Sequence, residues 1–377
     1  MFSVLMTIVF SSAMVWVLIQ KSYSPLRAHG YIDAIVPAFN EELCIEQTVK
    51  SLTVNPYFRH VIVVDDGSTD QTAHVLDALL SSQPKLRIIS QQNTGKGGAL
   101  MAGIRASRAP LVFLTDGDTL VPNDDGLGYM MGEMERGADA VGGIALSNLD
   151  GATLLPHIRA STKLACIMLV RTFQQMVGGS PFLISGACGL FKRKVLLDVP
   201  FSDRTNVEDL DLTWSLISKG YKVKQASRAF VYSQECNSLK SEWLRWRRWI
   251  AGYGVCMRLH SGLLTTRFGI GTILPVFLTS FLASALVLSS IVSLVADAAG
   301  PRHHLTIFNV IWLGLLIGVS AASAVHHRKP WLMIIAPLTV FYAAMSSVIW
   351  LVHGLKGLLS GSEPQRDKPQ RYANVVA

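Results

Sequence analysis

His60-Val61-Ile62-Val63-Val64-Asp65-Asp66-Gly67-Ser68 sets an almost wholly apolar run directly against a turn of two carboxylates, a glycine and a serine. A short run with no polar alternation reads as a strand buried on both faces. The abrupt turn is where its carboxyl end meets solvent, and Ser68 or Asp70 is placed to cap a helix running through Leu80. The same grammar recurs on either side. Upstream, Ile32–Pro37 is a short apolar run ending in Ala38-Phe39-Asn40, and Leu43, Thr48, Val49 and Leu52 then recur near one helical face. Downstream, Leu86–Ser90 reads as a third strand, followed by a helix from about Gly98, and Pro110–Thr115 as a fourth, ending at Asp116-Gly117-Asp118. Strand and helix alternating at this spacing predict an α/β domain with a largely parallel sheet. Ligands of such sheets bind beyond the carboxyl ends of the strands, and each of these polar clusters stands at such an end.

Around this core the composition is that of a membrane protein. Of 377 residues, 50% are hydrophobic and 16% charged, against about a quarter charged in soluble chains. Residues 1–20 form an uncharged stretch just long enough to span a hydrocarbon core, with neither a preceding basic residue nor a small-residue cleavage site to mark a secretory signal. Leu305–Val325 and Trp331–Val352 are two further uncharged stretches of spanning length, and Gly269–Ala296 is either one tilted span or a surface segment leading into a helix. The expected organisation is an N-terminal span at 1–20, a charge-bearing α/β block at 21–237, an amphipathic interfacial region at 238–268, about three helices over 269–353, and a polar tail at 354–377. Lys21, Arg27 and His326-His327-Arg328-Lys329 then lie on the cytoplasmic side by the positive-inside rule, which makes the α/β block cytoplasmic on an inner (plasma) membrane. The basic tail Lys356–Arg371 pulls against an external C-terminus. The net charge of +8 gathers in Lys240–Arg258 and beside the spans, as expected near anionic lipid. No nucleic-acid fold signature accompanies it, so nucleic acid is not an expected partner. Cys44, Cys166, Cys188, Cys236 and Cys256 lack close pairing and read as reduced thiols.

The strand ends carry the chemistry. Asp116 and Asp118, one residue apart across a glycine, offer oxygen ligands suited to Mg²⁺ or Mn²⁺, which can also bridge substrate phosphates; alone, three such letters are more often a turn. Asp65 and Asp66 could accept hydrogen bonds from a uracil or ribose, or simply form a polar turn. Asn93-Thr94-Gly95-Lys96-Gly97-Gly98 is not a P-loop, because Gly97 replaces the Ser/Thr after the lysine, yet Lys96 in a glycine-rich bend can pair with a diphosphate. Glu208-Asp209-Leu210-Asp211 opens a helix with Leu212, Leu216 and Ile217 as its apolar stripe. Acidic residues suit a first turn, but three exceed what capping needs, and one held near a hydroxyl would serve as a general base. Trp243, Arg245, Trp246, Arg247, Arg248 and Trp249 read both as an interfacial belt and as a wall that stacks on sugar rings and pairs with a diphosphate.

Taken together, these pieces resemble the family 2 membrane glycosyltransferases, the group of poly-N-acetylglucosamine, nodulation chitin-oligosaccharide, hyaluronan and cellulose synthases. The likeness covers about Ile32 to Gly254 and the flanking helices, whose one-plus-three layout is nearest the chitin-oligosaccharide type. Val36-Pro37-Ala38-Phe39-Asn40-Glu41-Glu42 looks like the family's first-strand motif, which adds Pro37, Asn40 and Glu41 to the expected donor contacts. Val64-Asp65-Asp66-Gly67-Ser68 matches its nucleotide-binding turn and Asp116-Gly117-Asp118 its metal motif. Ser185 to Arg193 looks like the segment lining the acceptor site, which implicates Gly186, Ala187 and Cys188, and Glu208-Asp209 matches the pair whose Asp is the catalytic base. The family's Gln-x-x-Arg-Trp is matched by Arg248-Trp249, expected at donor and acceptor, but Arg245 stands where Gln is the rule. Arginine cannot accept a hydrogen bond and adds a fixed charge; its contact to the donor diphosphate is retained as an expectation, while processive synthesis is put in question.

The resemblance implies a GT-A fold, inversion at the anomeric carbon, Asp118 and Asp116 at the metal, and Asp209 deprotonating the acceptor. One base and one metal suffice where a glycosidase needs two carboxylates. The leading expectation is a polymer- or oligomer-forming transferase using UDP-N-acetylglucosamine or a similar UDP-sugar. Next come a non-processive enzyme adding one sugar to a lipid or other membrane-proximal acceptor, then a non-catalytic membrane subunit that binds nucleotide sugar; a saccharide or lipid-linked acceptor is the expected second substrate. Membrane lipid, a second copy of the chain or an accessory membrane subunit complete the expected partners.

Overall fold

The computed structural model describes residues 25–26, 30–296, 318–364 and 371–372. The expected N-terminal span and most of Leu305–Val325 therefore lie outside the described residues. The chain separates into two compact units, one from residues 1–151, 171–234 and 370–377, the other from 152–170 and 235–369.

The first unit is built on an eight-stranded sheet of order β3-β2-β1-β4-β7-β6-β8-β5. Its first half follows the sequence pattern closely: β1 (Ile32–Ala38), β2 (Phe58–Asp65), β3 (Leu86–Ser90) and β4 (Leu111–Leu114) are mutually parallel. The helices α1 (Ile45–Thr53), α2 (Thr72–Leu80) and α3 (Gly95–Ala106) connect them. The second half departs from a parallel sheet. β7 (Gly189–Lys192) runs antiparallel to both β4 and β6 (Ala140–Ser147), and the short β5 (Thr119–Leu120) is antiparallel to β8 (Val223–Ser233), while β6 and β8 are parallel. The expectation of a largely parallel sheet thus holds for six of the eight strands, with β5 and β7 running the other way. The reversed strand follows the long helix α5 (Leu154–Gly178), a connection that alternation of short runs does not reveal.

Two apolar layers sandwich the sheet. One gathers Ile32, Ala34, Val36, Val61, Val63 and Phe113 under α1, α2 and α4 (Gly126–Glu135). The opposite face gathers Ile35, Ile62, Val64, Val112 and Leu114 under α3, α6 (Arg193–Asp198) and α7 (Glu208–Ser218). Alternate residues of one strand feed opposite layers, which is why these strands read as unbroken apolar runs. Two starts were misjudged. Helix α3 begins at Gly95 rather than Gly98, and α2 has Gln71 as its N-cap with no side-chain cap, while Asp70 Oδ1 accepts from Thr72 N at 2.9 Å and Ser68 is engaged elsewhere. No disulfide joins any of the five cysteines, four of which are buried.

In the second unit, α8 (Leu239–Leu259) starts at Ser238, whose hydroxyl accepts from Ser241 N. A π-turn, Gly269–Ile273, continues directly into the helix Leu274–Ala296. Among the described residues one helix, Leu332–Ser360, is long and apolar enough to cross a membrane, with a mean hydropathy of 2.0 in its most apolar window. It contains most of the expected stretch Trp331–Val352. Its last turns cross α8 at backbone contact. A Cβ on Gly254 would stand 2.6 Å from Leu358 N, and one on Gly357 would overlap the Ala251 carbonyl, so small residues let the two helix backbones meet.

Candidate active site

Three strand ends and one helix start bring polar side chains together in the first unit. β2 ends at Asp65 and turns through Gly67, whose φ of +75° favours a residue without a Cβ. Asp65 and Asp66 are both buried, and their bonds are internal: Asp65 Oδ1 accepts from Ser68 N at 3.1 Å, while Asp66 Oδ1 accepts from Gln91 Nε2 at 2.8 Å and Thr94 N at 2.9 Å. Asp66 therefore holds the loop that precedes Lys96. Asn40, at φ +54°, clasps the same turn, donating its N–H to Ser68 Oγ at 2.9 Å and accepting from Thr69 N at 2.7 Å. Pro37 precedes it in β1, and its carbonyl would stand 3.4 Å from a Cβ at Gly117, so the first-strand and Asp-Gly-Asp motifs are in contact.

Lys96 is the centre of this cluster. Its Nζ lies 2.6 Å from Asp116 Oδ1 and 3.3 Å from Glu208 Oε1, joining the end of β4 to the start of α7. A Cβ on Gly186 would stand 2.9 Å from that Nζ, so the segment entering β7 must be bare there. Lys96, Ser185, Gly186, Glu208 and Asp209 line one small cavity together with six apolar side chains, among them Leu114, Ile184 and Phe201. Ala187, next in the chain, is buried, and its carbonyl accepts from Thr115 Oγ1 at 2.9 Å. Cys188 does not face the cavity: its side chain is in the apolar core and burial pushes its thiol up to about 12.

The three first-turn carboxylates of α7 have separate partners. Asp211 is structural, held by Arg204 at 2.7 Å and Ser202 Oγ at 2.6 Å. Glu208 meets Lys96. Asp209 Oδ2 accepts from Gly186 N at 3.2 Å and Oδ1 from Leu210 N at 2.8 Å. Burial and then the Glu208 charge raise the Asp209 carboxyl above its ordinary value, against the pull of Lys96, which makes it the more basic carboxylate a proton acceptor needs. The helix is anchored by Trp214, fully buried, whose Nε1 donates to Phe182 O at 2.8 Å and whose ring meets Phe182 edge-on at 5.3 Å.

Asp118 is buried and faces Glu41. Burial raises it to about 6, with Asp116 and Glu41 adding to the rise and Arg371 opposing it. Among the described residues no group of three or more His, Cys, Asp or Glu is set for a metal. A cation nevertheless sits on these carboxylates. The Arg371 guanidinium contacts Asp118 Oδ2 through Nη1 and binds Glu41 through Nε at 2.7 Å and Nη2 at 3.0 Å. Sequence reasoning missed Arg371, because nothing in a polar tail announces a partner 330 positions away. The donor set fits a hard cation: it is anionic, oxygen-only, and already neutralised by a stand-in charge.

In the second unit, Arg245 is held by two buried carboxylates, Nη1 standing 2.7 Å from Glu235 Oε2 and Nη2 contacting Glu242. Arg159 pairs with the same two at 3.1 and 2.8 Å, and Lys163 with Glu235 at 2.7 Å. The guanidinium carbons of Arg159 and Arg245 lie 5.5 and 5.1 Å from the Trp249 ring centre. Arg248 is partly buried on the same helix. The first unit thus gathers Asp65, Asp66, Lys96, Asp116, Asp118, Glu208 and Asp209 around its strand ends, and the second keeps Arg245 within an internal ion network.

Comparison with known proteins agrees with this architecture. The description "Glycosyl transferase family 2" matches residues 33–199. The uncharacterized glycosyltransferase YaiP of Escherichia coli (strain K12) is 49% identical over 366 residues, covering 96% of this chain and 92% of that protein. A poly-beta-1,6-N-acetyl-D-glucosamine synthase of Staphylococcus aureus (strain COL) is 27% identical over 243 residues, 63% of this chain and 58% of the synthase. Among solved structures, the mannosyltransferase PcManGT from Pyrobaculum calidifontis, in complex with GDP-Man and Mn²⁺, superposes with a TM-score of 0.60 at 16% identity, over 89% of this chain and 94% of that one. The sheet is accordingly of the GT-A type. With a near-full-length relative at that identity and the family pattern running from β1 to the residue after α6, the chain belongs to glycosyl transferase family 2 and is a glycosyltransferase.

Proposed function

We propose that this glycosyltransferase moves a sugar, N-acetylglucosamine or a close relative, from a UDP-sugar to the hydroxyl of a growing saccharide at a membrane, with inversion at the anomeric carbon. The observation that carries the reading is the convergence on Lys96 of Asp116 from one strand end and Glu208 from a helix start, beside Asp209 and the bare backbone of Gly186. The pattern supplies one cation for a diphosphate and one proton acceptor, the minimum for transfer from a donor that already carries a good leaving group. Similarity to a poly-N-acetylglucosamine synthase supports the sugar, and the fold neighbour's complex with GDP-Man and Mn²⁺ supports a nucleotide-sugar donor bound with a divalent ion.

Asp118, helped by Asp116, would hold Mg²⁺ or Mn²⁺, whose contribution when bound is to neutralise the leaving diphosphate. Lys96 would pair with the same diphosphate once it leaves Asp116. Asp65 and Asp66 border the nucleoside, with Pro37, Asn40 and Glu41 shaping the floor. Asp209 takes the proton of the acceptor hydroxyl as its oxygen bonds to the anomeric carbon and the bond to the diphosphate breaks, and Gly186 and Ala187 lie beside that hydroxyl. The helix Leu332–Ser360 crosses the inner membrane, with the catalytic unit on the cytoplasmic face.

A second reading, addition of a single sugar to a lipid-linked or other membrane-proximal acceptor, is favoured by Arg245. It replaces the glutamine associated with processive relatives and is engaged with Glu235 and Glu242. Incubating membranes carrying the protein with a panel of UDP-sugars and Mg²⁺ or Mn²⁺, then weighing the products, tests both. A ladder spaced by one N-acetylhexosamine is the expected result, a lone addition product favours the second reading, and turnover only with a guanosine donor or without divalent metal would refute the proposal.

A further inference from the structure

We propose that Arg371 is an internal competitor for the divalent cation, its guanidinium holding the Asp118 and Glu41 carboxylates until the metal and nucleotide arrive together. This rests on the reading of Asp118 as the metal carboxylate. The guanidinium spends three of its nitrogens on two carboxylates delivered by different strands, Glu41 after β1 and Asp118 after β4. All three side chains are nearly out of solvent, at 17% exposure for Arg371 and 7% for each acid. A fork–fork pair of this kind is the strong form of an arginine–carboxylate contact.

The tail is also tied at a neighbouring point. Tyr372 O accepts from Gln234 Nε2 at 2.6 Å, and Tyr372 N faces Gln234 Oε1 at 3.5 Å, Gln234 being the residue that follows β8.

Competition follows from the charges. Glu41 and Asp118 already share one counter-charge, the Arg371 guanidinium. Asp118 Oδ2 cannot hold both a guanidinium nitrogen and a metal ion. Whatever binds the metal must therefore break the Arg371 contact, and that free energy is subtracted from metal affinity. Couplings between ligands competing in this way correspond to about 5–150-fold in affinity. A nucleotide diphosphate that helps to hold the ion would tip the exchange, which makes the metal's affinity depend on the nucleotide more steeply than in an open site.

The test is Mn²⁺ binding to the full-length protein in detergent, read from the EPR signal of free Mn²⁺, with and without UDP. Arg371→Ala is expected to bind Mn²⁺ about ten-fold tighter than the natural protein, and Arg371→Lys to fall between them. Gln234→Ala, which loosens the tail without touching the carboxylates, should shift in the same direction by a smaller factor. Equal or weaker Mn²⁺ binding by Arg371→Ala, or loss of its metal-free UDP binding, overturns the proposal, the latter by making Arg371 a donor ligand. An Asp118→Ala protein that binds Mn²⁺ like the natural one would instead refute the metal assignment itself, and this inference with it.

Discussion

Replacing Asp209 by asparagine removes the proposed base while leaving almost the same shape. Asp209 accepts two backbone N–H bonds, from Gly186 at 3.2 Å and Leu210 at 2.8 Å. An amide oxygen can keep one of them, and the other is lost against an NH₂ group. That loss is worth about 1.5–3 kcal/mol for a charged acceptor. Its opposite is the relief of taking a carboxylate out of a buried position beside Glu208, so the net change should be about 1 kcal/mol, or about 2–4 °C in Tm for a unit of this size. Transfer should fall far more: a positioned base contributes about 10²–10⁴-fold, equivalent to about 3–5 kcal/mol in the barrier. The assay is UDP release with donor and acceptor, alongside UDP titration of the same preparation. Donor affinity is expected to stay within about three-fold, because the carboxylates and Lys96 on the donor side are untouched. Turnover within about ten-fold of the natural protein would refute the assignment of the base.

Four further outcomes are expected. Lys96→Met removes the charge that holds Asp209 down, so the Asp209 carboxyl rises further; because the base works only when ionised, the acid limb of the kcat/KM profile should move to higher pH, and an unmoved limb would dissociate Lys96 from Asp209. Arg245→Gln leaves Glu235 and Glu242 with fewer cations and should destabilise the protein by about 1–3 kcal/mol, partly recovered when Glu235→Gln is added, as seen by thermal unfolding. Gly357→Val drives a side chain into the Ala251 carbonyl, where overpacking against backbone should cost about 3 kcal/mol or more and lower the yield of folded membrane protein. Burial would raise the Asp33 carboxyl, but Arg59 and Ser107 more than reverse this and hold it below its ordinary value. Its contribution is therefore present above about pH 4 and lost as pH falls through the folded value. With Arg59→Met burial dominates, and acid unfolding should begin at a higher pH than in the natural protein.

The parallel half of the fold was legible because each of β1 to β4 is short, apolar on both faces and closed by a polar turn. The second half was not, for β7 is only four residues long and its reversed direction depends on α5 and on pairing with β4 and β6, long-range choices that local patterning does not record. Among site residues, Lys96, Asp116, Glu208 and Asp209 were legible because each stands at a predicted element boundary. What sequence reading left open was the division of labour: that Asp66 serves the loop before Lys96 and that Asp211 serves Arg204. Such choices are settled by which oxygen meets which N–H once the chain has closed. Arg371 carried no local signal, since an arginine in a polar tail looks the same whether solvated or buried.

The reversed strand also bears on how such enzymes diversify. The clusters proposed to hold the donor leave the sheet at the carboxyl ends of parallel strands, whereas Gly186 and Ala187, proposed to border the acceptor, enter it at the amino end of β7. Outgoing and incoming loops meet over one cavity but belong to different stretches of chain, separated by the whole of β6 and α5. On the proposed assignment, insertions or exchanges before β7 would remodel the acceptor's side while the nucleotide side keeps its register, so that a lineage could change what it glycosylates without relearning how to hold the donor.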